Sequence, residues 1–429
     1  MASFFAISLI FITTALIVMH VVYVLIYLNR LWATRSIEKE FLSPDTRRLE
    51  QPERVAVVLC LRGADPSLSD CLAGLAIQTG PSFQLIVVVD SADDPALHIL
   101  EQFQGQFQRL TVHTIVNRLN SCSLKCSAIL TAIEYIPDSV DIIAFLDADT
   151  IPDPCWLSEL IRPLNEPDVG ASTGTRWFEA ERPSMGTAVR QLWNMAAIVQ
   201  MEIYNIAWGG SLAIRKSILN GSSLIARWGQ AFCEDTLLSG ELKGMGLRLV
   251  RVPNLIVVNR ETTDLGAGFR WIVRQLLTVR LHNRNWPLIQ VHAFATFCCS
   301  LALIFGLFYL GFGNRQLGLL LLVAWASFQI VNCLLLAAIE RAVAARLRRP
   351  LTKFGVTAKK PSRSPARLAW AILLTQWVYP VACVVASVCR KVRWRGVEYK
   401  INRNGSLEMT NYHAFSAPGV MESDSASIL

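Results

Sequence analysis

Three observations predict an α/β fold with a mainly parallel, Rossmann-like sheet, framed by transmembrane helices at both ends. Between residues 30 and 287, short apolar runs alternate with helical segments, the rhythm of βαβ units whose sheet is covered on both faces. Residues 2–28 contain no charged side chain. Further long apolar stretches crowd the last third of the chain, and together they raise the hydrophobic content to 52 %.

The elements follow in order. At about 1.5 Å per residue, residues 2–28 comfortably span a hydrocarbon core of about 30 Å. A secretory signal would have a shorter apolar stretch after a basic start and before a small-residue cleavage site. None of these is present, so the segment reads as an uncleaved anchor. Arg30, Arg35, Lys39, Arg47 and Arg48 follow it and place its C-terminal side in the cytoplasm. Strands are expected at 55–60, 84–89, 111–116 and 141–146, with helices at 68–77, 95–103 and 123–135. No internal repeat is evident.

Residues 269–284 are amphipathic: Arg270, Arg274, Arg280 and Arg284 alternate with Phe269, Ile272, Val273, Leu276 and Leu277. Such a helix just before a span lies in the membrane interface. Spans are expected at 288–312 and 317–339, joined by Gly313-Asn314-Arg315-Gln316 as a helical hairpin. A fourth apolar stretch, 368–388, holds Gln376 and Pro380 and is flanked by basic residues on both sides. A re-entrant or kinked segment would keep both flanks on the cytoplasmic side. The basic stretch 359–364 and the Ser-rich tail after Phe415 read as disordered. The expected organisation is an anchor (1–29), a cytosolic α/β domain (30–266), an interfacial helix (267–287), membrane segments (288–390), and a basic segment with a disordered tail (391–429).

The net charge of +8 would suit nucleic acid, but the basic residues lie beside the apolar stretches, where anionic headgroups account for them. No nucleic-acid motif is present, so no nucleic-acid partner is expected. Eleven cysteines form no pair of Cys-x-x-Cys units, a pattern that fits reduced, buried thiols better than zinc ligands.

Candidate chemistry gathers at strand ends. Asp147-Ala148-Asp149 closes the apolar run 141–146, and Asp90 closes 85–89. In open α/β sheets ligands bind outside the carboxyl ends of the strands, and paired carboxylates there suit Mg²⁺ or Mn²⁺ shared with a substrate's phosphates. An isolated Asp-x-Asp is also an ordinary acidic turn. Arg62 and Gly63 follow the first strand. Lys125 opens a helix, where amide dipoles and an ammonium can meet phosphate. Glu234 and Asp235 precede an apolar helix; they suit a helix N-terminus on dipole grounds or a general base. Gly209 and Gly210 either admit a ligand close to the backbone or make a turn.

These residues, in this order, resemble glycosyltransferase family 2 and its close relative, the ceramide glucosyltransferases. Leu61-Arg62-Gly63-Ala64-Asp65-Pro66-Ser67-Leu68 and Asp93-Asp94-Pro95-Ala96 look like the opening of the ceramide glucosyltransferase group. Val392-Arg393-Trp394-Arg395-Gly396 with Tyr399 is similar to its ending. The resemblance covers residues 1 to about 405.

It implies a GT-A nucleotide-sugar fold facing the cytosol. Asp90 then contacts the nucleotide, with Asp93 as a rival. Asp147 binds ribose and, with Asp149, a metal-chelated diphosphate. Lys125 lies near that diphosphate, Glu234 is a substrate-binding residue, and Asp235 is the base. The family's (Gln/Arg)-x-x-Arg-Trp motif falls on Arg274-Gln275-Leu276-Leu277-Thr278, where Leu277 and Thr278 replace Arg and Trp. Arg280 is the available replacement cation. The expected function is an inverting transfer from a UDP-sugar to a hydroxyl of a membrane lipid such as ceramide. A processive polysaccharide synthase, a polyprenyl phosphate acceptor and a non-catalytic membrane scaffold are the rivals.

Overall fold

A computed structural model of the chain describes residues 2–40, 54–180, 182–220, 222–347 and 365–415. The stretch 359–364, the tail after Phe415, Arg47, Arg48 and the side chains of Arg35 and Lys39 lie outside the described residues.

The four expected strands are β1 (Val55–Leu61), β2 (Gln84–Val89), β3 (Leu110–Thr114) and β4 (Ile142–Leu146); β1, β2 and β4 form where continuous apolar runs allow both faces to be covered, and β3 is the partly exposed edge. Helices α2 (Leu68–Ala76), α3 (Ala96–Phe103) and α4 (Leu124–Glu134) connect them; α1 is the N-terminal helix Ala2–Glu40. After α5 (Trp156–Ile161) come β5 (Val169–Phe178), α6 (Met185–Ile203), β6 (Ser211–Arg215), α7 (Leu224–Trp228), α8 (Leu238–Gly244) and β7 (Arg248–Asn259). The seven strands lie in the order β3-β2-β1-β4-β6-β5-β7. Only β6 runs against its neighbours.

Successive residues of β1 alternate between two cores, as strand geometry requires. Val55, Val57 and Leu59 pack with Leu68, Leu72 and Leu75 of α2. Ala56 and Val58 pack on the other face with Cys126, Ile129 and Ala132 of α4. The chain leaves β1 toward β2 on one side and returns to β4 on the other. This reversal opens a crevice between the β1 and β4 ends, the favoured ligand position in open α/β sheets.

A helical layer lies against this domain: α1, α6, α9 (Leu265–His282), α10 (Trp286–Phe312), α11 (Arg315–Leu347) and α12 (Pro365–Val388). Side chains from all six share one apolar core, including Leu31, Val199, Leu276, Ile289, Ile339 and Ala382. Among the described helices, α1, α10, α11 and α12 are long and apolar enough to cross a membrane. The stretch expected as a re-entrant or kinked segment is one continuous helix, α12, with Pro380 inside it. Gln376 needs no loop to satisfy it, because its amide exchanges hydrogen bonds of 3.0 and 2.7 Å with Gln329 of α11. Along its length α12 packs against α6, α9 and α10.

The basic segment from residue 391 folds into a second, antiparallel sheet of β8 (Lys391–Trp394), β9 (Val397–Ile401) and β10 (Leu407–Asn411). Its inner face, Val397, Tyr399 and Ile401, joins the core on the α4 side. The tight turn between β8 and β9 places Arg395 at φ 49° and Gly396 at φ 77°, the left-handed pair that two-residue hairpins require.

Candidate active site

A cavity of ≈ 260 Å³ opens at the β1 and β4 ends, walled by the sheet domain, α6, α9 and the β8–β9 hairpin. Asp147, Asp149, Lys125, Gly210, Glu234, Asp235, Arg274 and Gln275 line it together. Four of the expected carboxylates, Asp147, Asp149, Glu234 and Asp235, are therefore brought to one place from two separate loops.

Lys125 is aimed by the α4 N-terminus, where the Ser123 hydroxyl accepts from the Cys126 N–H at 3.1 Å. Its ammonium lies 2.7 Å from both Asp147 Oδ1 and Glu234 Oε1. Burial works against that charge, but Asp147 and Glu234 outweigh it and hold the lysine well above its ordinary pKa. Burial likewise opposes the Asp147 charge, and Lys125 overcomes it, leaving this carboxyl below its usual range. Glu234 moves the other way: burial raises it, and Lys125 offsets only part of the shift.

Asp149 has no such cation in contact. Asn259, at the end of β7, donates to its Oδ2 at 3.0 Å. Burial, reinforced by the Asp147 charge, pushes its carboxyl up to about 6. Two desolvated carboxylates whose repulsion raises one pKa fit a hard divalent cation, which would relieve that repulsion. Among the described residues no group of three His, Cys, Asp or Glu could hold a metal. A cation here would thus take the rest of its shell from substrate oxygens or water.

Asp235 Oδ2 accepts from the Gly209 N–H at 2.7 Å, while its buried Oδ1 has no hydrogen-bond partner among the described residues. The two glycines serve this close packing. A Cβ at Gly209 would sit 1.8 Å from Glu234 Oε1, and one at Gly210 would sit 2.5 Å from Asp147 Oδ2. His282, absent from the expected set, accepts from the Phe232 N–H at 2.9 Å and steadies the loop that carries Asp235. Burial depresses its imidazole to about 4, so it remains neutral there.

Cations line the opposite side. Arg176 of β5 stacks 4.5 Å over the Trp271 ring and donates to Gln275 Oε1 at 3.3 Å. Burial lowers its guanidinium to about 10, with Asp149 and Asp147 pulling the other way. Arg274 lies 5.1 Å over the Trp394 ring; burial, then the nearby Arg395 and Arg176 charges, lower it to about 10. Arg395, held on the left-handed hairpin turn, reaches Asp65 at 2.8 Å.

Trp394 and Arg395 of the hairpin thus line the cavity beside Arg274. Leu277 is instead fully buried in the core. The Arg280 expectation is corrected. Its guanidinium donates to the Ala386 and Cys389 carbonyls at 2.7 and 2.9 Å, at the end of α12. Six residues beyond Arg274, it falls on another face of α9.

Asp90 stands apart from this cavity. Its carboxylate accepts from Arg62, from the Tyr412 hydroxyl at 2.8 Å and from the Phe415 N–H at 3.0 Å. The Phe415 ring packs on Gly63, where a Cβ would lie 2.5 Å from its Cζ. A strap of residues 412–415 therefore covers the end of β2. The rival Asp93 is exposed, and neighbouring Asp94 accepts from the Gly63 and Ala96 N–H groups.

No curated protein matches this chain in sequence. Among solved structures, a mannosyltransferase from Pyrobaculum calidifontis, in complex with GDP-Man and Mn²⁺, is similar at 18 % identity. That alignment covers 89 % of this chain and 99 % of the other, with a TM-score of 0.47. Glucosyl-3-phosphoglycerate synthase from Mycobacterium tuberculosis, in complex with Mn²⁺, UDP and glucosyl-3-phosphoglycerate, is 13 % identical. It aligns over 54 % of this chain and 82 % of that one, with a TM-score of 0.35. The profile of glycosyl transferase family 21 matches residues 12–407, a span that takes in every strand of the large sheet and the whole cavity lining. The chain belongs to glycosyl transferase family 21, and it is a sugar-transferring enzyme.

Proposed function

We propose that this enzyme moves a sugar from a UDP-sugar to a hydroxyl of a membrane lipid, with inversion at the anomeric carbon. The observation that carries the reading is Asp235, with one oxygen held by Gly209 and the other unpartnered, lining the cavity that also holds Asp147 and Asp149. Such a carboxylate can take the acceptor proton on Oδ1 as the hydroxyl oxygen bonds the anomeric carbon. The bond from that carbon to the diphosphate breaks, and its electron pair leaves with the UDP.

Lys125, Arg176, Arg274 and Arg395 are positioned to receive the negative charge that develops on the leaving group. Asp149 and Asp147 would hold Mg²⁺ or Mn²⁺, which when bound adds positive charge beside the diphosphate. Asp235, on a separate loop, would act from the acceptor side, and alignment of the partners supplies much of the acceleration. With the base and the cations serving opposite partners, a single displacement inverts the configuration.

A lipid acceptor is supported by the other wall. Trp193, Ala197, Met201, Leu276, Val279 and Ile289, all from the helical layer, line the same cavity. A hydroxyl presented at headgroup depth would meet Asp235 there, on the cytoplasmic side that the basic flanks indicate.

The test is purified full-length protein with a panel of UDP-sugars, Mg²⁺ or Mn²⁺ and a total lipid extract, read by mass spectrometry. A single glycolipid is expected. Polymer would replace the reading with a processive synthase, and transfer only to water-soluble acceptors would overturn the lipid.

A further inference from the structure

A second cavity, of ≈ 120 Å³, lies among α1, α6, α10, α11 and α12 and shares Trp193, Ala197 and Gln200 with the catalytic cavity. Each of those five helices contributes a polar side chain to it: His20, Gln200, His292, Asn332 and Tyr379. They form a connected chain. His20 Nδ1 lies 2.9 Å from Asn332 Oδ1, and His20 Nε2 lies 2.9 Å from His292 Nε2. His292 Nδ1 is 3.0 Å from the Gln200 amide nitrogen and 3.1 Å from the Tyr379 hydroxyl.

The chain has one consistent direction. Asn332 Oδ1 can only accept, so His20 Nδ1 carries a proton. Two facing imidazole nitrogens need one donor and one acceptor, so with His292 Nε2–H donating, His20 Nε2 is bare. The Gln200 amide can only donate, which leaves His292 Nδ1 bare. Both histidines are thereby neutral. Among the described residues no Asp, Glu, Lys or Arg lines this cavity, whereas Asp147, Asp149, Lys125, Arg176 and Arg395 line the first.

Polar side chains on apolar, membrane-length helices are expensive and mark ligand pathways. As helix-to-helix glue they contribute little, because interhelical hydrogen bonds in a bilayer stabilise weakly. Glue also does not explain a void continuous in its lining with the active site.

We propose that this cavity is the acceptor's headgroup site, taking an uncharged, hydroxyl-bearing lipid from the bilayer and delivering it past Gln200 to Asp235. The inference rests on the lipid-acceptor reading above and deepens it. An uncharged head exchanges hydrogen bonds with the His20–His292–Asn332 chain without leaving an ion unpaired. A phosphorylated lipid would bring a charge into a site with no cation to meet it, a costly transfer. The cavity thus selects against polyprenyl phosphates.

The experiment uses the full-length enzyme in phosphatidylcholine nanodiscs containing a ceramide, a diacylglycerol or a polyprenyl phosphate. Asn332→Leu and Thr375→Leu narrow or depolarise the cavity without touching the catalytic lining. Each should raise KM for the uncharged acceptor about tenfold or more, while kcat and the dissociation constant for UDP stay within about twofold. Asn332→Gln should recover most of the loss. An unchanged acceptor KM in both leucine variants, or a polyprenyl phosphate used as well as the uncharged lipids, would overturn the proposal.

A photoactivatable diacylglycerol separates this failure from failure of the lipid-transfer reading. It should label α11 or α12 peptides, with uncharged lipid competing and polyprenyl phosphate not. Labelling without any lipid product would retain the site and sink the transfer, whereas lipid product without labelling or KM effects would do the reverse.

Discussion

The catalytic cleft and the cavity among the helices share a wall but are built from opposite chemistry. The cleft concentrates charge: Asp147, Asp149, Glu234 and Asp235 face Lys125, Arg176, Arg274 and Arg395. The helical cavity is polar and neutral, assembled from imidazoles, amides and a phenol. A diphosphate leaving group needs ions to receive it, and a head drawn out of hydrocarbon is best met by groups that cost less to bury. On the proposed reading the two regions divide one reaction between them, with donor charge on the sheet side and acceptor polarity on the helix side. Gln200 and Trp193 stand on the boundary.

Substitutions that strike one region and spare the other test this division. The largest effect is expected from Asp235→Asn. It should lower kcat by roughly 10²–10⁴-fold, the usual range for losing a general base, with UDP binding and acceptor KM little changed. A variant that kept wild-type kcat would move the base elsewhere.

Next is the metal side. Asn259→Ala removes the amide that orients Asp149 and should weaken Mn²⁺ affinity by about 10–100-fold, the range for outer-shell partners. Activity titrated against Mn²⁺ reads this directly, and the acceptor KM should not follow.

Acidification should act on the cleft alone. The Asp149 pKa of about 6 means that metal-supported kcat/KM falls as pH drops below it, tending toward tenfold per unit. Stability moves the other way for this group. A raised carboxyl pKa means that the metal-free fold binds the proton more tightly than the unfolded chain does. Its share of stability is therefore present below the unfolded value, near 4, and is lost as pH rises through about 6. Metal affinity that did not change between pH 7 and 5 would remove Asp149 from the metal site.

The smallest effect concerns the strap. Tyr412→Phe deletes one hydrogen bond to Asp90, worth about 1 kcal/mol. If Asp90 serves the nucleobase, UDP should bind a few-fold more tightly once that competitor is gone. Weaker binding would instead make Tyr412 part of the donor site.

Much of the sheet was legible from sequence because β1, β2 and β4 are buried on both faces and read as unbroken apolar runs. Asp90, Asp147 and Asp149 could be placed at strand ends for the same reason. β5 was not legible: Val-Gly-Ala-Ser-Thr-Gly-Thr-Arg-Trp-Phe has neither an apolar run nor a period of two. Arg176 was missed with it, although an arginine beside Trp177 and Phe178 was a signal. Arg280 was misjudged because distance along the chain was used where helical phase decides which side chains meet. Trp394 and Arg395 were quoted as a signature, yet their place opposite Arg274 depends on a hairpin turn and on Tyr399 entering the core beside α4. The helical cavity was invisible, since its polar residues are scattered over five helices far apart in the chain.

The sequence by itself determined the layered domain, its membrane-length helices and the loops that carry the carboxylates. These follow from local periodicity and from where apolar runs stop. Tertiary structure decided which of those groups meet. It left one Asp235 oxygen unpartnered and set Asn259 against Asp149. It brought the C-terminal hairpin to the side of the cleft where α9 carries Arg274 and Thr278, and it laid residues 412–415 over Asp90. Such pairings depend on packing between distant segments, which no local pattern encodes.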